Sequence, residues 1–239
     1  MSTLHYSAAS YSHVGMVRKI NEDACLDLAV DGLWAVADGM GGHAAGDYVA
    51  SLTVDSLRQL PLPAPLEERA RVVRETLVRV NHAVREETRR RGVAMMGSTV
   101  VVLAVRGDQG IGLWAGDSRL YRLRDGRLER LSHDHSYVQE LQDSGLLSEA
   151  EARVHPRGNI VTRAIGVEDR LELQSVNLHV QPGDTYLLCS DGLTKTAEDP
   201  EIGEVLHHAD PYQVVRGLVH LGLTRGAPDN ITAVVVKAN

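Results

Sequence analysis

Four aspartates stand at the edges of apolar, strand-like runs, where a β-sheet would bring their carboxylates together. They are Asp38 after WAVA, Asp117 after IGLWAG, Asp191 after YLLCS, and Asp229, which precedes NITAVVV. An Asp-Gly pair is first of all a turn signal, so each aspartate alone predicts no more than a turn. Four such aspartates, together with the adjacent Glu22 and Asp23, form a set that hairpin turns do not require.

Carboxylates crowded into one site repel one another unless cations lie between them. Oxygen ligands without a cluster of Cys or His favour hard ions, Mg²⁺ or Mn²⁺. Two such ions about 4 Å apart can activate a water molecule and clamp a transferring phosphoryl group. Arg18 would add a planar fork of donors for phosphate oxygens. The residue types therefore predict metal-assisted phosphoryl chemistry.

Hydrophobic patterning predicts the elements that position these residues. Apolar and alternating runs predict strands at 4–10, 24–30, 34–38, 98–106, 109–115, 119–124, 127–131, 172–179, 184–190 and 231–236. Helical periodicity predicts helices at about 45–60, 66–91, 200–208 and 211–225, with shorter ones near 137–143 and 148–154. This order of elements favours a layered sandwich of sheets and helices over a parallel doubly wound sheet.

The longest predicted helix shows its packing face most clearly. Its apolar positions step by four and three residues and form one stripe that faces a core. They are Leu66, Ala70, Val73, Leu77, Val80 and Val84. Gly92 is expected to end the helix. The basic run Arg89-Arg90-Arg91 suits the negative end of the helix dipole better than it suits a phosphate-binding patch.

Composition narrows the class of protein. A length of 239 residues with 43% hydrophobic residues suffices for one large domain with its own core, and the absence of Phe leaves Leu, Val and Ala to fill it. A net charge of −7 argues against a nucleic-acid binder. Cys25 and Cys189 give no disulfide framework and no metal spacing. With no run of about 18 apolar residues and no signal-peptide pattern, we expect a cytoplasmic protein away from the membrane.

Six short motifs occur in the order found in bacterial metal-dependent serine/threonine phosphatases, the PPM or type 2C family, which the chain resembles from about residue 14 to residue 236. The motifs are RKINED (18–23), DGMGGHAAG (38–46), GST (97–99), GDSR (116–119), DG (191–192) and DN (229–230). The resemblance implies an α+β fold with a central antiparallel β-sandwich flanked by helices on both sides. It implies one catalytic domain, 1–239, with a flap-like insertion at about 132–165.

Site roles follow from the same resemblance. The implied metal ligands are Asp23, Asp38, Gly39, Asp117, Asp191 and Asp229. Asp38 would bridge two core ions, Mn²⁺ or Mg²⁺, with the Gly39 carbonyl on one of them. Asp191 and Asp229 would complete the other ion, while Asp23, like the preceding glutamate, would act mainly through bound water.

Two further roles are implied. Arg18 matches the phosphate-binding arginine of the family. Asp117 and Asp191 resemble the pair that holds a third, weaker metal ion in bacterial members. The alternative for Asp117 is that it only orders its turn, through the neighbouring Arg119.

The general acid is a separate question. In eukaryotic relatives a histidine directly follows the Asp-Gly pair and is proposed as general acid, whereas here Met40 takes that place. His43, three residues later, is a candidate catalytic residue in the same loop. Its alternative role is to order that loop.

Other phosphate-handling classes fit less well. A cysteine phosphatase needs an arginine six residues after its thiolate, but Cys189 is followed there by Lys195 and Cys25 by Asp31. No GxxxxGK loop is present, so NTPase or kinase activity is not expected. A two-metal nuclease should show a basic surface. The remaining alternative is a non-catalytic relative that binds phosphoproteins or acts as a scaffold.

The expected partners follow from the enzyme hypothesis. We expect phosphorylated proteins as substrates and a Ser/Thr kinase as the enzyme whose action is reversed, governing a secretion system, the cell envelope or a stress response. We expect a monomer that binds neither nucleic acid nor membrane.

Overall fold

The computed structural model describes residues 4–41, 45–61 and 65–239. The strands in these ranges are β1 (Tyr6–His13), β2 (Asp23–Leu28), β3 (Leu33–Met40), β4 (Gly97–Ser98), β5 (Val100–Arg106), β6 (Gln109–Ala115), β7 (Arg119–Arg124), β8 (Arg127–Arg130), β9 (Gln174–His179), β10 (Thr185–Cys189) and β11 (Ile231–Ala238). The helices are α1 (Gly46–Arg58), α2 (Leu66–Arg91), α3 (Tyr137–Asp143), α4 (Glu149–Arg153), α5 (Asp191–Thr194), α6 (Asp199–Leu206) and α7 (Pro211–Thr224).

The strands form two antiparallel sheets. The first sheet has the order β1-β11-β10-β7-β8, and the second has the order β2-β3-β5-β6-β9, with β4 paired to β3. Helices α1 and α2 pack on the outer face of the second sheet, and α6 and α7 pack on the outer face of the first. The predicted α+β class, an antiparallel β-sandwich flanked by helices on both sides, is confirmed.

Strand β3 shows why the central strands are apolar throughout. Trp34 and Val36 belong to the core between the two sheets. Leu33, Ala35 and Ala37 belong to the core under α1 and α2. Because both faces of the strand are covered, its sequence reads as a continuous apolar run rather than as an alternation.

The prediction for the longest helix is confirmed in its bounds and its face. Helix α2 spans Leu66–Arg91, and five members of the predicted stripe are buried against the second sheet while Leu66 is partly buried there. Gly92 ends the helix with a φ of 65°, in the left-handed region that glycine adopts most easily. In the described part of the chain, every helix is too short or too polar to traverse a membrane.

Several element boundaries differ from the predictions. Strand β1 runs to His13 because it pairs along its whole length with β11, from Tyr6 opposite Ala238 to His13 opposite Ile231. The predicted strand at 184–190 stops at Cys189, since Ser190 is the residue directly before a short helix that begins with Asp191. Asp191 therefore opens α5 rather than closing a strand.

Candidate active site

The carboxylates predicted for the site meet at one end of the β-sandwich. In the second sheet, Asp23 at the start of β2 is the direct cross-strand partner of Asp38 near the end of β3. In the first sheet, Asp191 follows β10 and Asp229 precedes β11, whose neighbouring ends also lie together. Antiparallel pairing thus brings residues that are far apart in sequence to one edge of each sheet.

Hydrogen bonds to Asp23 join the two sheets at this edge. Its Oδ2 atom accepts from the hydroxyls of Ser190, at 2.8 Å, and Thr232, at 2.7 Å. Both donors belong to the first sheet or its edge and are almost fully buried. The other oxygen, Asp23 Oδ1, is buried without a hydrogen-bond partner.

Thr99 connects Asp38 to the Gly-Asp-Ser-Arg turn. The Asp38 backbone N–H donates to Thr99 Oγ1 at 3.1 Å, and the Thr99 N–H donates to the Asp38 carbonyl at 2.9 Å. Thr99 Oγ1 also lies 2.7 Å from the Ser118 hydroxyl. This buried network fixes the turn that carries Asp117 beside the end of β3.

Close backbone packing at Gly39 requires glycine on both sides. A Cβ atom added to Gly39 would lie 2.2 Å from the Gly46 carbonyl oxygen, and one added to Gly46 would lie 2.7 Å from the Gly39 carbonyl carbon. The Gly39 N–H donates to the Glu22 carbonyl at 3.1 Å. The start of α1 therefore lies against the backbone of the predicted metal-binding loop.

Asn230 ties the segment that carries Arg18 to the site. Its Oδ1 atom accepts from the Glu22 N–H at 2.8 Å. Its Nδ2 atom donates to the carbonyls of Val14, at 2.8 Å, and Ile20, at 3.0 Å. One buried amide thus satisfies three backbone groups on both sides of Arg18.

Two cations contact the carboxylates. Arg18 makes a two-pronged ion pair with Asp229, at 2.9 and 3.0 Å, and its side chain is 52% exposed. The Lys195 ammonium contacts Asp191 Oδ2 and lies 3.7 Å from Asp229 Oδ2. The hydrogen bond that Arg18 donates to Asp229 raises the pKa of the guanidinium, so it stays charged.

Four of the carboxyl groups, those of Asp23, Asp38, Asp117 and Asp191, hold their protons more tightly than isolated ones. Burial raises the pKa of Asp23 to about 7 and that of Asp117 to about 8, with repulsion from Asp191 adding to both. Burial raises the pKa of Asp38 well above its usual range, and the charges of the neighbouring aspartates raise it further. Burial also raises the pKa of Asp191, although Lys195 opposes that shift. A cluster of this kind favours bound cations.

The donor set fits hard divalent ions. As the side chains stand, no three Asp, Glu, His or Cys residues in the described ranges form a group that could hold one metal ion. The buried oxygens Asp23 Oδ1 and Asp191 Oδ1 nevertheless lack hydrogen-bond partners, and burial together with the charge of Asp229 raises the pKa of both carboxyls. Buried oxygen atoms of this kind are the ligands that Mn²⁺ and Mg²⁺ prefer.

Two further predictions concern His43 and the turn that carries Asp117. His43 lies outside the described residues, so its role stays a prediction. Arg119 donates to both carboxylate oxygens of Asp134, at 2.7 to 3.0 Å, rather than ordering the Asp117 turn. That turn is held instead by His135, whose N–H donates to the Gly116 carbonyl at 3.0 Å and whose Nδ1 accepts from the Gly116 N–H at 3.1 Å.

The segment 132–165 covers one side of the site. It contains α3 and α4, and its ends are pinned by a bridge between Ser136 and Val161 and by another between Ser98 and Ile165. A cleft of about 500 Å³ separates its helices from the body of the molecule. Asp117, Asp191 and Lys195 line the body side of that cleft.

Neither cysteine is placed to act as a nucleophile. Cys189 is fully buried on β10, and burial raises the pKa of its thiol to about 12. Burial raises the pKa of Cys25 as well. A thiol protonated at neutral pH is a poor nucleophile.

Sequence reasoning missed several residues that build the site. They are Thr99, Ser190, Lys195 and Thr232, together with the amide of Asn230. Thr99 and Asn230 lie inside the GST and DN motifs, and this position in a motif could have identified them as site residues. The hydroxyls of Ser190 and Thr232 carried none, because a serine or threonine in a strand is an ordinary residue.

Comparisons with known proteins agree with this geometry. Residues 12–221 match the family model described as Protein phosphatase 2C. The structure of PppA, a key regulatory component of T6SS in Pseudomonas aeruginosa, is 62% identical with a TM-score of 0.93 and covers 98% of each chain. The catalytic domain of the serine threonine protein phosphatase PstP, in complex with two manganese ions, is 33% identical with a TM-score of 0.88 and covers 99% of each chain.

A curated relative shows the same likeness over part of its length. The serine/threonine protein phosphatase PstP of Mycobacterium tuberculosis is 35% identical over 238 residues, which is 98% of this chain and 45% of that protein. The chain thus spans less than half of that relative. From the family match, the shared fold and the carboxylate cluster at one end of the β-sandwich, we conclude that the chain belongs to the Protein phosphatase 2C family.

Proposed function

We propose that this chain is a metal-dependent protein phosphatase that hydrolyses phosphoserine and phosphothreonine, with residues 1–239 acting as one catalytic domain. The observation that carries the proposal is the meeting of Asp23, Asp38, Asp191 and Asp229 at one end of the sandwich, where two buried carboxylate oxygens lack partners. A non-catalytic relative would have no need to keep these carboxylates together, since their mutual repulsion destabilises the fold.

Different residues of the chain would bind the metal ions and the phosphate group. When bound, two Mn²⁺ or Mg²⁺ ions supply a water of lowered pKa and neutralise phosphate charge. Asp38 and the Gly39 carbonyl would hold the ions from the second sheet, and Asp191 and Asp229 from the first. Arg18 would exchange its present partner Asp229 for two phosphate oxygens, since its guanidinium fork suits either acceptor.

The segment 132–165 is proposed as a substrate-recognition flap. The cleft of about 500 Å³ between its helices and the body is large enough for side chains that flank a phosphorylated residue. Asp117 and Asp191 stand on the wall of this cleft, so a bound peptide would pass beside the metal site.

The physiological partner is proposed to be a serine/threonine kinase and its substrates. The likeness to PppA, described as a regulatory component of T6SS, supports a role in control of that kind of system. In a strain that lacks the gene, the substrates of this enzyme should accumulate in their phosphorylated form. Quantitative phosphoproteomics would identify them. An unchanged phosphoproteome would contradict the partner assignment and leave the chemistry to the test below.

The chemistry is tested with short peptides that carry phosphoserine, phosphothreonine or phosphotyrosine. In the presence of Mn²⁺, we expect phosphate release from the first two and much slower release from the third. A folded protein that binds the peptides and releases no phosphate would support the non-catalytic alternative and overturn the proposal.

A further inference from the structure

A lysine stands where the family resemblance places a third metal ion. Lys195 follows Asp191 by one turn of α5, and its backbone N–H donates to the Asp191 carbonyl at 2.8 Å. The side chain turns back so that its ammonium contacts Asp191 Oδ2 and lies 3.7 Å from Asp229 Oδ2. The short helix therefore fixes a positive charge against these carboxylates.

The two carboxylate oxygens of Asp191 have different surroundings. Oδ1 is buried without a hydrogen-bond partner and is free to bind a core ion. Oδ2 is already engaged by the Lys195 ammonium. A third ion shared by Asp117 and Asp191 would have to displace that ammonium or lie beside a like charge, and both are unfavourable.

Asp117 lies at the same cleft as Asp191 and Lys195. This cleft lies between the segment 132–165 and the body of the molecule. The nearby Arg119 is committed to Asp134 through three hydrogen bonds. The Lys195 ammonium therefore supplies the positive charge that the Asp117 and Asp191 carboxylates would otherwise draw from solution.

We propose that the ammonium of Lys195 takes the place of the third metal ion, so that the loaded protein carries two ions and not three. The inference rests on the proposed function for the two core ions. It is an alternative to the expected third ion at Asp117 and Asp191, and it makes Asp117 a partner of the lysine charge.

The test is the number of Mn²⁺ ions bound at equilibrium, measured by dialysis with metal analysis. The wild-type protein should bind about two Mn²⁺ per chain, and Lys195→Asp should bind about three because a ligand replaces a competing cation. Lys195→Met should also gain the third ion, with weaker affinity. Adding Asp117→Asn to Lys195→Asp should return the number to about two.

Lys237→Met is the matched control, because Lys237 lies at the far end of β11 and donates to the Leu206 carbonyl. It should bind as the wild type does. A third ion on the wild-type protein that Asp117→Asn removes would overturn the inference, as would folded Lys195 variants that stay at about two ions. A wild-type protein that binds no ion would instead overturn the proposed function.

Discussion

Asp38 lies among four other carboxylates of the candidate site. It lies opposite Asp23 across the β2–β3 pair, and burial raises its pKa first, with the charges of four neighbouring aspartates raising it further. Its backbone is held on both sides by Thr99, so its carboxylate position follows from the sheet. This carboxylate should therefore favour metal binding and destabilise the metal-free fold.

Asp38→Asn should separate these two effects. We expect activity to fall on the order of 10³-fold or more, because a neutral amide cannot hold two divalent ions. The metal-free protein should melt at a higher temperature, because one of the repelling carboxylates is gone. Both are measured on one purified variant, by peptide dephosphorylation and by calorimetry in chelator.

The control for this change is Asp55→Asn, which alters an exposed aspartate of α1 that pairs with Arg58. It should leave activity unchanged and stability nearly so, since such surface pairs contribute about 0.5 kcal/mol or less. An Asp38→Asn protein that keeps wild-type turnover would refute the bridging role.

The structure brings the predicted aspartates together, but sequence reasoning missed Lys195 and the neutral residues that contact them. Asp38, Asp191 and Asp229 were predicted because several aspartates stand at the edges of apolar runs, and the first two of these three are also followed by glycine. Ser190 and Thr232 were not, because they contact Asp23 across 167 and 209 residues of sequence and resemble any other strand residue. Such contacts depend on the register of two sheets, which the local sequence does not specify.

At the scale of elements, the segment between β1 and β2 has little regular structure and is held by side chains. Asn230, at the start of β11, bonds to backbone groups of Glu22, Val14 and Ile20. Arg18 lies inside this segment, so the amide positions the guanidinium without touching it.

Asn230→Ala should therefore affect stability and substrate binding together. Losing the amide leaves buried backbone groups unpaired, at a cost of about 2 kcal/mol, which should lower the Tm by roughly 4–8 °C. KM for a phosphopeptide should rise more than kcat falls, because Arg18 loses its place. Asn177→Ala, on the exposed face of β9, should change neither quantity. An unchanged KM with a lowered Tm would restrict Asn230 to a structural role.

Element prediction depended on length. Helix α2 was predicted at its true bounds because 26 residues show several turns of one stripe. Helix α5 was missed because four residues show no period, and its start was assigned to the end of β10. The missed helix is the element that aims Lys195 at Asp191, so this error concealed a contact within the site.

At the scale of the whole molecule, both sheets contribute carboxylates to one end of the sandwich. Repulsion between these carboxylates lowers the stability of the metal-free fold. An acid whose pKa is raised on folding destabilises the fold above that pKa, and this cost disappears as pH falls toward the unfolded value of about 4. Asp23 and Asp117, with pKa values of about 7 and about 8, place the change in stability between about pH 4 and about pH 8.

The metal-free protein should accordingly become more stable as pH is lowered from about 8.5 to about 5.5. With saturating Mn²⁺ the trend should reverse, because ions bind the deprotonated carboxylates. The increase in Tm on adding Mn²⁺ should thus grow with pH. Calorimetry with and without chelator tests this, and a metal-free Tm that rises with pH over the same range would contradict it.

The most direct test of the central claim is dephosphorylation of a phosphothreonine peptide by protein stripped of metal and then titrated with Mn²⁺. The account predicts no measurable phosphate release in chelator and recovery of full activity as Mn²⁺ is restored, since the chain offers carboxylates and no reactive thiol for this chemistry. Full turnover by the metal-stripped protein would contradict it.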